Sequence, residues 1–103
     1  MEWDRVTQEK LKAMVVKIPV FHRRITEEAV TRGAQEHARQ RQSAQVEELD
    51  VVNAFFSDVP AAFYSMMIRL MEQSGFDYKK YGYPKNGDGS EAKAKLSPKE
   101  GTV

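Results

Sequence analysis

The chain has 103 residues, enough for one domain or at the very most two. Sixteen Lys and Arg against fifteen Asp and Glu leave a formal charge of +1, without the basic footprint of a dedicated nucleic-acid binder. Zero Cys excludes disulfides, Fe–S ligation, Cys₄ zinc sites and thiol catalysis, so the fold rests on apolar packing alone.

The apolar spacing predicts a first helix from about Asp4 to Val16. Asp4 caps it, and Val6, Leu11, Met14 and Val15 form its stripe. Trp3, just before the cap, is placed to fold back as a hydrophobic staple. Pro19 ends this helix at Ile18 and opens the next. The second helix is expected from Pro19 or Val20 to Gln42, with a restart at Thr26 as the other option. Its buried row is read as Ile25, Ala29, Gly33 and His37, with Ala34 and Ala38 beside them. Such small residues let another helix approach closely. Glu28 and Arg32 are placed as an outer i,i+4 pair.

Ser43-Ala44-Gln45-Val46 reads as a linker. A third helix is expected from Glu47 to Ser57, with Glu47, Glu48 and Asp50 facing its N-terminal dipole. Leu49, Val52 and Phe56 form its stripe, widened by Val51 and Phe55. Pro60 opens a fourth helix that Gly75 closes, carrying Phe63, Met66, Met67, Ile68, Leu70 and Met71. The aromatic segment FDYKKYGYPK drapes back over the helices. From Pro84 onward the chain is polar and aromatic-free, the composition of a disordered tail. The expectation is an all-α bundle of about four helices over residues 1–83, with a tail over 84–103.

The neutral total hides a cancellation. Residues 1–45 carry nine basic and six acidic residues; 46–79 carry two and six; 80–103 carry five and three. No apolar run spans a membrane, and MEWDRVTQEK lacks the apolar core of a signal peptide. A cytoplasmic setting without membrane insertion is the reading these features give.

Chemistry-bearing constellations are sparse. His22 and His37 lie fifteen residues apart, about 22 Å along one helix, too far to share an ion. No metal, cofactor or catalytic residue is assigned. Catalysis would require a pocket joining His37 to a carboxylate. Arg24, Arg32 and Arg39 fall on one side of the long helix and would give weak, salt-sensitive nucleic-acid contact; interleaved Glu27, Glu28 and Glu36 argue for a solvated face instead. The fourth helix is too apolar for one stripe. Phe63, Met66, Met67, Leu70 and Met71, with Tyr78, Tyr81 and Tyr83, are therefore the expected contact surface for a protein partner or a second copy.

Trp3, the Leu11 helix, Ile18-Pro19-Val20-Phe21, Arg23-Arg24, Ala38 and Val46-x3-Asp50-Val51-Val52-x-Ala54 together resemble the PCP-reductase family. This is the C-terminal domain of the B subunit of light-independent protochlorophyllide reductase. The resemblance covers about residues 3–56, and Ile-Pro-x-Phe is its most specific part. Glu47 stands where the family usually has Thr, and Gln42-Ser43 where it usually has a glycine. The reductase's Fe–S chemistry belongs to other domains and needs cysteines this chain lacks. The resemblance implies a stand-alone accessory domain acting through protein contacts, beside a redox or metalloenzyme, and carries over no catalytic residue. The Ala-Arg-Gln-Arg helix followed by Val46 and Asp50-Val51 is also similar to the second half of a histone fold, which would imply a dimer on DNA.

Overall fold

The computed structural model describes residues 1–83; the tail read over 84–103 lies outside the described residues. In chain order the elements are β1 (Glu2–Trp3), α1 (Arg5–Val15), α2 (Val20–Gln40), β2 (Gln45–Val46), α3 (Glu48–Asp58) and α4 (Tyr64–Ser74). Single 3₁₀ turns precede and follow α4, at Ala61–Phe63 and Tyr78–Tyr81. The fold is all-α, with α2 packed along α3 and α1 against α4.

Asp4 caps α1, accepting hydrogen bonds from the Thr7 amide (3.0 Å) and hydroxyl (2.9 Å). The backbone bond comes first in holding its carboxyl below the usual range. Because its hydroxyl is satisfied, Thr7 joins Leu11, Met14 and Val15 inside, while Val6 is exposed, contrary to the stripe read from sequence. Trp3 is not a staple. It lies in β1, which pairs in parallel with β2 through Glu2↔Gln45 and Trp3↔Val46. The stretch read as a linker thus contains a strand, and the Asp4 amide extends the clip by donating to the Val46 carbonyl at 2.9 Å.

The core row of α2 is Val30, Ala34 and Ala38, all fully buried. The predicted row of Ile25, Ala29, Gly33 and His37 has the right spacing but lies to one side, with Ile25 73% exposed. The salt bridge joins Arg24 to Glu28 at 3.1 Å, not Glu28 to Arg32. The helix closes when Gln42 turns into the left-handed region at φ 61°, and the Ser43 amide reaches back to the Ala38 carbonyl at 2.9 Å.

The buried face of α3 is Asp50, Val51, Val52, Ala54 and Phe55, so Leu49 and Phe56 sit half-buried beside the core instead of in it. The helix starts from a capping box: the Glu47 side chain takes the Asp50 amide, and Asp50 Oδ2 takes the Glu47 amide at 2.9 Å. Gly75 ends α4 at φ 91°, as its position predicts. Beyond it Phe76 and Tyr78 are buried, with Phe76 edge-on to Phe55 at 5.9 Å. Tyr83 stacks on Phe56 at 4.5 Å, and its hydroxyl lies 2.6 Å from Asn53 Oδ1.

This packing corrects the contact surface read from the fourth helix. Met67, Leu70, Met71 and Tyr78 are inside the chain's own core, and Phe63, Met66, Tyr81 and Tyr83 are half-buried against it. α4 packs against α1, and the aromatic segment after Gly75 packs on Phe55 and Phe56 of α3. No single helix among the described residues is long and apolar enough to cross a membrane.

Candidate functional site

Two grooves meet along the side of α2 that faces the end of α3. The predicted small-residue row forms their floor. At the N-terminal end, a cavity of about 310 Å³ is walled by His22, Ile25, Ala29, Val59, Pro60 and Phe63. It is largely apolar, and the His22 ring leans on Phe63 at 5.5 Å between centroids. Farther along, a polar groove of about 570 Å³ runs over Gly33 and is walled by Arg32, Glu36, His37, Gln40, Ser57 and Asp58. Ala29 and Asp58 border both cavities.

Gly33 lets the two elements close on each other. A Cβ placed there would sit 1.9 Å from Asp58 Oδ2 and 3.1 Å from the Ala54 Cβ. The close approach expected of this row is therefore real, and α3 of the same chain makes it.

His37 does share a groove with a carboxylate, the arrangement catalysis would require. Its Nε2 lies 3.1 Å from Ser57 Oγ and 3.9 Å from Asp58 Oδ2. Ser57 Oγ donates its only proton to the Asn53 carbonyl at 2.7 Å, so Nε2–H is the donor toward Ser57. A serine nucleophile needs the opposite polarity, with the ring accepting the hydroxyl proton and an acid orienting the other ring nitrogen. Here serine and acid both face Nε2. The geometry is that of a hydrogen-bonded histidine at a helix end. Among the described residues no group of three or more His, Cys, Asp and Glu is placed to hold a metal ion.

The three arginines do not act as one basic face. Arg24 pairs with Glu28 and Arg39 with Glu36, each at 3.1 Å, and Arg32 shares its groove with Glu36. Alternating charge of this kind describes a solvated helix face.

Sequence reasoning missed the most buried polar group. Asp50 is fully buried and is clasped by Arg41, with Nε to Oδ1 and Nη2 to Oδ2 both at 2.7 Å. These bonds come first in raising the Arg41 pKa, and Arg41 also reaches Glu47 at 3.1 Å. The signal was the three-residue spacing of Glu47 and Asp50, which marks a capping box, followed back to a basic residue at the end of α2. Glu48 is a second tie. Lys10 Nζ (2.8 Å) and the Asp77 amide (2.7 Å) both donate to it, and they outweigh the upward push of burial to leave its pKa lowered.

The Ile18-Pro19-x-Phe21-x-Arg23 segment divides its roles. Ile18 is buried, Pro19 caps α2, and Arg23 donates to the Val16 and Ile18 carbonyls at 3.0–3.2 Å, closing the end of α1. Phe21, by contrast, is 90% exposed. Comparison with family models, with curated proteins and with solved structures finds no match to this chain.

Proposed function

We propose that this chain is a non-catalytic, PCP-reductase-like cytoplasmic module that works through protein contacts, as an accessory to a redox or metalloenzyme. The observation that carries the reading is the apolar cavity of about 310 Å³ beside α2, where Ile25 and Phe63 flank the small floor residue Ala29. A concave, mainly apolar groove with a polar continuation suits an inserted side chain or helix of a partner. The family resemblance is supported by the roles of Ile18, Pro19 and Arg23. It is supported again by Gln42, whose left-handed backbone falls where the family usually has a glycine.

A photo-crosslinking residue at Ile25 tests this directly. The expected result is a crosslink, in lysate of the host, to a subunit of a redox or metalloenzyme, abolished when Ala29→Arg fills the groove. A crosslinking pattern that Ala29→Arg leaves unaltered would defeat the proposal.

A further inference from the structure

The corner where α1 gives way to α2 carries Val16 and Val20, each 67% exposed, and Phe21 at 90%. Ile25, one turn on from Phe21 and on the same side, is 73% exposed. Folding does not account for these residues, since Ile18, Pro19 and Arg23 already make the corner. An apolar cluster left on a corner marks a surface that something else covers.

Charge identifies the occupant. From Lys10 through Thr26 the chain holds five basic residues and no acidic one. Lys10 is held by Glu48, and the Arg23 guanidinium lies against the corner's own carbonyls. Lys17 is exposed between Val16 and Ile18, and the Arg24 side chain is 89% exposed. Glu9 precedes this run and Glu27 and Glu28 follow it on α2, and the exposed Arg24–Glu28 bridge leaves Arg24 open to a competing anion. A second copy docked patch to patch would set the same cations against each other. The cavity beside Phe63 is concave and suits a protein partner, whereas the Phe21 corner projects. An exposed aromatic with Lys17 and Arg24 near it in sequence matches a soft, negatively charged interface.

We propose that this corner docks the protein on an anionic lipid bilayer surface. Val16, Val20, Phe21 and Ile25 enter the boundary between headgroups and acyl chains, and Lys17 and Arg24 meet the anionic headgroups. The docking is peripheral, and it does not depend on occupancy of the groove beside α2.

Flotation of the full chain with vesicles tests it. One set is phosphatidylcholine with about a third phosphatidylserine, the other phosphatidylcholine alone, each at about 50 and about 300 mM salt. The chain is expected to float with the anionic vesicles at low salt, and at least about tenfold less with neutral vesicles or at high salt. Phe21→Asp and Lys17→Glu are each expected to weaken binding at least about tenfold with unchanged circular dichroism, because both side chains are exposed. Ala29→Arg should float like the parent chain, which separates this inference from the groove reading. Failure to float with anionic vesicles at low salt overturns it. So does flotation that Phe21→Asp leaves unchanged, and so does a protein crosslinked at Phe21 without any flotation.

Discussion

Replacing Arg41 by Ala should be the most destabilising single change on the polar side of this fold. Asp50 is fully buried and receives three hydrogen bonds, two from Arg41 at 2.7 Å and one from the Glu47 amide at 2.9 Å. Arg41→Ala removes the charge partner and two of those bonds, leaving a buried carboxylate with one donor. Breaking one side of such a pair costs about 3–5 kcal/mol. The Arg41 side chain is itself 34% exposed, so water can follow it into the site, and the lower end, about 3 kcal/mol, is the expected loss. A domain of this size has total stability on the order of 5 kcal/mol, so more than half would go. Urea titration followed by circular dichroism should show the midpoint falling by about 2 M, taking a slope near 1.5 kcal/mol per M. Arg39→Ala, which removes only the exposed bridge to Glu36, should stay within about 0.5 kcal/mol of the parent. Replacing both partners, Arg41→Met with Asp50→Leu, should recover much of the loss, since no charge is then stranded. Equal effects of Arg41→Ala and Arg39→Ala would refute the reasoning.

Tyr78 predicts an alkaline transition. Burial, then the hydrogen bond to Glu72 at 2.6 Å, pushes its phenol from 10.0 up to about 12. The folded state holds the proton more tightly than the unfolded one, so this stability is fully present below pH 10. It is lost as pH rises toward 12, about 2–3 kcal/mol in all. Urea midpoints measured across that range should fall less steeply for Tyr78→Phe, and parallel curves would contradict the assignment. At the end of α2, Gln42 occupies the left-handed position of a Schellman turn, with its amide on the Arg39 carbonyl and that of Ser43 on Ala38, both at 2.9 Å. Gln42→Gly should therefore stabilise the fold by up to about 1 kcal/mol, net of glycine's greater unfolded entropy, and a lower melting temperature would count against that backbone reading.

The local signals in the sequence located the helices well. Asp4, Pro19 and Gly75 each fix a chain direction through their own chemistry, and each marks the boundary it should. Rotation about the helix axes was less legible. In α2 a four-residue spacing fits both Ile25-Ala29-Gly33-His37 and Val30-Ala34-Ala38; the second is buried in the core, while the first borders α3 at Gly33 and opens on the grooves. The β1–β2 clip was illegible for a different reason: two-residue strands have no alternation to detect. The surplus apolar surface of α4 was visible, but its cover lay in α1, far from it in sequence. That is why a surface assigned to a partner is core, while the groove was legible only as its floor of small residues.

The exposure of Phe21 separates what folding requires from what it leaves over. Ile18 fills the core, Pro19 sets the start of α2, and Arg23 satisfies carbonyls at the end of α1, so each has a folding role that substitution would disturb. Phe21 lies between them in sequence yet touches little of the fold, and leaving so large a ring in water forgoes roughly 1.5–3 kcal/mol of burial. An aromatic kept there at no gain in stability is the kind of residue an interface uses as an anchor. Ile25, 73% exposed, stands at the border of the two surfaces: it walls the groove and lies one turn on from Phe21. Two binding events on adjacent faces of α2 would then share one edge. A crosslinker at Ile25 should therefore report both surfaces, with Ala29→Arg removing the groove product and Phe21→Asp the lipid-dependent one.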